Sequence, residues 1–172
     1  MGRTVKIVEY DPAWVGTYDH EASIIRKGLN TLLVECFHIG STAIPGMPAK
    51  PIIDILLSVK NILDLDTYSD NLNRLGYECL GEYGIKGRRF FQKGGDHRTH
   101  HIHAFDVDSP EIERHVLFRD YLREFAEEAK IYAELKKELA SVHRDNPDDY
   151  SEAKNRFIRS IEEKARHWYL QN

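Results

Sequence analysis

Residues 38–54 read His38-Ile39-Gly40-Ser41-Thr42-Ala43-Ile44-Pro45-Gly46-Met47-Pro48-Ala49-Lys50-Pro51-Ile52-Ile53-Asp54. An apolar run from Val34 to Ile39 ends in Gly-Ser, and a second run, Ile52 to Val59, carries one carboxylate. Both runs have strand character. The twelve residues between Ser41 and Asp54 hold three prolines and one glycine, which dictates a loop rather than a helix. A glycine after a strand lets backbone approach a ligand closely. The serine beside it offers a hydroxyl and an N–H to a phosphate. Alternation puts Asp54, Leu56 and Ser58 on one face of the second strand and Ile53, Ile55, Leu57 and Val59 on the other. A carboxylate in such a strand needs a partner, and metal-bound phosphate is one.

Outward from this stretch, Val5 to Val8 reads as a short strand. Asp11 reads as an N-cap, with Pro12 at the first helical position of a helix burying Trp14, Tyr18, Ile25 and Leu29. Asn61 to Leu75 reads as a helix closed by Gly76. Tyr77 to Leu80, Arg88 to Lys93 and Thr99 to Val107 read as further strands. From Ser109-Pro110 onward the pattern is helical: Pro110 to Glu124, Ala126 to His143 and Asp148 to Tyr169, the last capped by Asp148 or Asp149. The chain therefore divides into an α/β part, residues 1–108, and a helical part, residues 109–172. The helical part is too small to stand alone and is expected to pack on the sheet.

With 172 residues, 41% hydrophobic and 30% charged, the chain is one domain of ordinary globular composition. A net charge of −4 argues against a dedicated nucleic-acid binder. No apolar run reaches the ~20 residues that span a bilayer. Met1 to Lys6 has neither a signal core nor a myristoylation pattern. These features, with Cys36 and Cys79 read as buried reduced thiols, place the protein in the cytoplasm.

Three groups can carry chemistry. Asp54 is the first. The second is His97-Arg98-Thr99-His100-His101-Ile102-His103, four histidines in seven residues. On a strand His101 and His103 share a face, and His-x-His is a metal-ligand spacing that suits Zn better than Mg. If the strand of Asp54 lies alongside, the three form a mixed His/carboxylate site. His97 and His100 read as turn residues. The third group is basic: Lys50, one of Arg88 and Arg89, Lys93, and Lys154, which follows Tyr150 by one helical turn. Arg119, Arg123 and Lys136 read as surface charges of amphipathic helices. His38 reads as a core histidine bonded to backbone.

Gly-Ser at a strand end followed by a carboxylate on the next strand resembles a nucleotidyltransferase site. His-Ile-Gly-Ser-Thr-Ala-Ile-Pro-Gly with Lys-Pro-Ile-Ile-Asp-Ile is similar to the GrpB family. His100-His101-Ile102-His103, Phe118 to Arg123, Tyr132 to Ala140 and Tyr150 to Lys154 extend the likeness from about Val8 to Ala165. The resemblance implies an α+β fold: a nucleotidyltransferase-like mixed sheet with the three C-terminal helices packed on it. It implies nucleotide or other phosphorylated-metabolite binding, with phosphate on Gly40, Ser41, Thr42, Lys50, Arg89, Lys93 and Lys154. Arg89 is favoured over Arg88. It also implies a divalent metal, Mg or Mn, on Asp54; the His-x-His spacing adds Zn or a similar ion on Asp54, His101 and His103 as the other arrangement, with Asp54 and His103 the candidate catalytic residues. One departure stands out. Nucleotidyltransferases place a second carboxylate two residues along, and here that residue is Leu56. The alternatives are a binding module without turnover, or a metal-dependent hydrolase built on the histidines. GrpB-like domains are fused to dephospho-coenzyme A kinase in some bacteria, which implies an accessory role near coenzyme A for the module.

Overall fold

The computed structural model describes residues 3–172. Met1 and Gly2, on which the reading of the leader partly rests, lie outside the described residues. Helix α1 (Ala13–Leu29) is followed by strands β1 (Leu33–Ile39) and β2 (Ile53–Val59). Two short helices, α2 (Ile62–Leu65) and α3 (Ser69–Arg74), lead into β3 (Tyr77–Cys79), β4 (Arg89–Lys93) and β5 (His100–Asp106). Three long helices close the chain: α4 (Pro110–Glu124), α5 (Ala126–Val142) and α6 (Pro147–Gln171). The sheet order is β1-β2-β5-β4-β3, with β2 and β5 parallel and the other pairs antiparallel. This is the expected mixed sheet, and its central parallel pair carries the site.

The expected first strand is not formed. Val8 makes one bridge to Ala49, and this ties the N-terminal segment to the Pro/Gly loop. Asp11 does cap α1, accepting from the Ala13 N–H at 2.9 Å. The helix expected over 61–75 is broken in two by a tight turn at 66–68. Asn61 caps α2, accepting from the Leu63 N–H at 2.9 Å, and an asparagine, not Asp148 or Asp149, likewise caps α6. There Asn146 accepts from the Asp149 N–H at 3.1 Å, because Pro147 takes the first helical position and leaves the cap to the residue before it. Asn146→Ala is therefore expected to cost about 1 kcal/mol. Thermal unfolding should show a fall of about 2–4 °C.

The sheet separates two apolar layers. Ile53, Ile55, Leu57 and Val59 of β2, with Ile102 and Ala104 of β5, pack against Tyr18, Ala22, Ile25 and Leu29 of α1 and Leu72 of α3. On the opposite face Leu56, Ile39 and Phe105 meet Ile112 and Val116 of α4. The helical part does pack on the sheet, and it also covers the loop: Ile44 and Met47 are buried among Leu117, Phe118, Tyr132 and Ile161. No helix among the described residues is long and apolar enough to cross a membrane. Cys36 is buried as expected, whereas Cys79 is exposed, because β3 is a three-residue edge strand.

Candidate functional site

The site begins where β1 ends. Gly40 has φ +72°, a conformation that suits glycine. A Cβ on Gly40 would lie 2.8 Å from Asp54 Oδ2. Glycine is thus required twice, once for the turn and once for the approach of the carboxylate. Arg119 and Arg123 of α4 hold this turn from outside. Arg119 Nη1 donates to the His38 carbonyl at 3.1 Å, and Arg123 Nε to the Ala43 carbonyl at 2.9 Å. They are clamps on the loop rather than surface charges. His38 bonds the Thr42 hydroxyl, Nε2 to Oγ1 2.8 Å, not backbone, and stacks on Tyr18. Burial pulls its pKa down to about 4, so it is a neutral support for the turn.

The parallel register sets Asp54 beside His101 and Leu56 beside His103. Asp54 Oδ1 lies 3.1 Å from His103 Nε2 and 3.5 Å from His101 Nδ1. Burial pushes the carboxyl up, but the hydrogen bonds of the two imidazoles outweigh it and hold Asp54 well below the usual carboxylate range. His103 Nδ1 faces the Arg88 guanidinium at 3.5 Å. Arginine only donates, so Nδ1 is the acceptor and Nε2 carries the proton given to Asp54.

This arrangement does not fit the metal pair of a nucleotidyltransferase. Leu56 is fully buried between Ile39 and Phe105, so the second carboxylate has no counterpart here. The ring nitrogens of His103 are engaged by Asp54 and Arg88. Among the described residues no group of three or more His, Cys, Asp or Glu side chains could hold a metal ion. The structure does bring Asp54, His101 and His103 together, as a hydrogen-bonded set.

What fills the site instead is positive charge. Ser41, Thr42 and Asp54 line a cavity of about 340 Å³ together with Lys50, Lys136 and Lys154. Arg3 and Arg98 stand at the same wall. Lys136 is 1% exposed, and its Nζ donates to Ser41 Oγ at 2.8 Å and to the Pro48 carbonyl. Each lysine from the helical part lies over the tyrosine one turn before it. Lys136 is 4.8 Å from the Tyr132 ring centre and Lys154 4.9 Å from that of Tyr150, which Lys50 also covers at 4.7 Å. Burial, then the neighbouring Lys154 and Lys50, pulls Lys136 down to about 7. Burial and Lys50 pull Lys154 down to about 8, with Asp54 opposing. Lys50 is lowered too, by burial first.

Two of the expected phosphate contacts lie elsewhere. Arg89 pairs with Asp66, Nε to Oδ1 2.8 Å, and Lys93 with Glu21 at 2.9 Å. The cause is register. Phe90 pairs with His103, so Arg89, Phe91 and Lys93 occupy the face packed by α1, away from Asp54. His100 shares that face and is buried near Glu21, not in a solvated turn. His97 is exposed, as expected. Arg88, the residue before β4, reaches the site through His103 in place of Arg89.

Lys136 escaped the sequence reading, although a signal existed. Tyr132, Lys136 and Ala140 recur every fourth residue on the buried face of α5, and a lysine in an apolar stripe needs a polar destination. Arg3, Arg98, Tyr83 and Phe90 carried no such signal.

A family described as GrpB protein matches residues 4–164. YqkA of Bacillus subtilis is 44% identical over 96% of this chain and 48% of its own length. The chain thus spans about half of that relative. A protein named dephospho-CoA kinase from Mycobacterium leprae is 22% identical over 94% of this chain and 46% of its own length. Among solved structures, the conserved protein GrpB from Enterococcus faecalis superposes with a TM-score of 0.93 at 43% identity, covering 96% of this chain and 99% of that one. Cid1 in complex with its short product ApU superposes with a TM-score of 0.54 at 14% identity, over 78% of this chain and 43% of Cid1. That second likeness is one of fold, and it shows the nucleotidyltransferase-like sheet. The family match over nearly the whole chain, with a near-complete superposition at 43% identity, establishes that this chain belongs to the GrpB protein family.

Proposed function

We propose that this chain binds the phosphate groups of a nucleotide or another phosphorylated metabolite, and that Asp54 orients the group that reacts with it. The observation that carries this reading is the convergence of Lys50, Lys136 and Lys154 on Ser41 and Asp54 in one cavity. Transfer of a phosphate-linked group depends mainly on positioning and on neutralising charge. The three lysines supply the charge, on side chains whose burial makes each contact stronger than in water. Asp54, held ionised by His101 and His103, can accept a hydrogen bond from an incoming hydroxyl and aim it. The Cid1 likeness, a protein seen with ApU and with the UTP analogue UMPNPP, supports a nucleotide in this role.

Leu56 favours a second reading, in which the cavity binds without turnover. The likeness to a protein named dephospho-CoA kinase supports a setting near coenzyme A for that module.

Asp54→Asn separates the two. The substitution removes a negative charge from an anion site, so tripolyphosphate binding should be kept or tightened a few-fold. If the site is catalytic, diphosphate release from nucleoside triphosphates should fall by about 100-fold or more. Binding by both forms with turnover by neither leaves the module. Failure of the unmodified protein to bind either tripolyphosphate or a nucleotide refutes the phosphate reading itself.

A further inference from the structure

Part of the cavity wall is an aromatic pair. Tyr83 and Phe90 both line it, with ring centres 5.1 Å apart and planes 9° from parallel. Phe90 is 5% exposed and wedged edge-on against His101 and His103. Tyr83 is different. One face lies on Phe90, yet the residue is 57% exposed, so the accessible surface is its other face and edge.

Tyr83 also sits in a left-handed backbone conformation, φ +49°, which a tyrosine adopts only where its surroundings enforce it. The enforcing residue is Arg88, 7% exposed. Its Nη2 donates to the Tyr83 carbonyl at 2.6 Å, and its Nε to the Glu82 carbonyl at 3.1 Å. Its guanidinium covers the inner ring of Phe90 at 5.0 Å and reaches His103. The loop that carries Tyr83 is thereby fastened to the partner of Asp54. A strained, exposed aromatic held by a buried cation contributes little to the core.

We propose that the outward face of Tyr83 stacks on a planar ring of the ligand, so that the site takes an aromatic phosphorylated molecule, a nucleotide, in preference to a sugar phosphate or bare polyphosphate. The inference rests on the phosphate reading above and adds the substrate class to it. Tyrosine faces are sequence-tolerant platforms for nucleobases, and loss of one such stack weakens binding by about fivefold to a hundredfold.

The test is equilibrium binding of ATP and of tripolyphosphate to the full chain, to Tyr83→Leu and to Tyr83→Phe, with each variant's melting temperature recorded. The expected result is tighter binding of ATP than of tripolyphosphate by the unmodified protein. Tyr83→Leu should lose about tenfold or more for ATP and leave tripolyphosphate unchanged, while Tyr83→Phe keeps both. Equal weakening of both ligands in Tyr83→Leu would assign Tyr83 a structural role and overturn the proposal. So would unchanged ATP binding. Tripolyphosphate bound as tightly as ATP by the unmodified protein defeats the stack alone, whereas no binding of either defeats the phosphate reading as well.

Discussion

Gly40→Ala is expected to lower the melting temperature by about 6–12 °C, the equivalent of ~3 kcal/mol in a domain of this size. Two causes add. At φ +72° and ψ −171° the backbone is in a region essentially reserved for glycine, and an alanine there takes on a penalty of about 1–3 kcal/mol. Its Cβ would also lie 2.8 Å from Asp54 Oδ2, closer than real Cβ contacts come, so the strand or the carboxylate must move. Overpacking of this kind costs about 1–3 kcal/mol. Gly46 supplies the control, with a similar φ of +78° and open space around its missing Cβ. Gly46→Ala should therefore show the conformational penalty alone. The difference between the two variants contains the contact with Asp54 together with the cost of the ψ of −171° that Gly40 adopts. If both fall equally, the close approach is not what requires glycine at position 40.

Lys136→Met is expected to weaken tripolyphosphate binding by about 10- to 100-fold at pH 6.5, the loss of one charge-assisted hydrogen bond. Its pH dependence is more telling, because binding and stability should move in opposite directions. Lys136 titrates near 7 in the folded protein, well below an ordinary lysine. Above that pH the unfolded chain holds a proton that the folded chain has released, so the stability of the unliganded protein rises with pH. The rise should run from about pH 7 upward and be blunted in Lys136→Met. Phosphate binding needs the protonated amine, so affinity should fall across the same interval. Lys154, near 8, extends both trends. Comparing the unmodified protein with Lys136→Met at each pH removes the contribution of the ligand's own ionisation, which is common to both. Thermal unfolding and binding followed from pH 6.5 to 9 would show the opposed slopes.

Much of the frame was legible because it rests on short-range pattern. Val34 to Ile39 and Ile52 to Val59 are apolar runs, the first ended by Gly40 and the second opened by Pro51, so both strands follow from local pattern and the face of Asp54 from the two-residue period of a strand. His101 and His103 share that face for the same reason. The basic residues were less legible, because their placement depends on register and helix rotation. Arg89 and Lys93 were assigned to the cavity, but the pairing of Phe90 with His103 turns them to the α1 face, where Asp66 and Glu21 meet them. Nothing local to residues 88–93 sets that parity. Lys136 lies 95 residues from the serine it bonds, and only the packing of α5 on the Pro/Gly loop brings them together. The resemblance to nucleotidyltransferases identified the sheet correctly, and Leu56, read from the sequence as the departure from their carboxylate pair, is buried in the core.

The central claim is that a cavity lined by lysines, rather than a carboxylate metal pair, receives the ligand's phosphates. It is tested most directly by the thermal unfolding of the full chain with tripolyphosphate and a metal chelator present. At 100 times its dissociation constant a ligand adds about 2.7 kcal/mol of stability, enough to raise the midpoint by about 5–10 °C. The account predicts such a rise at pH 6.5 without metal, shrinking by pH 9 and much reduced in Lys136→Met. No rise at any pH, or an equal rise in Lys136→Met, would contradict it.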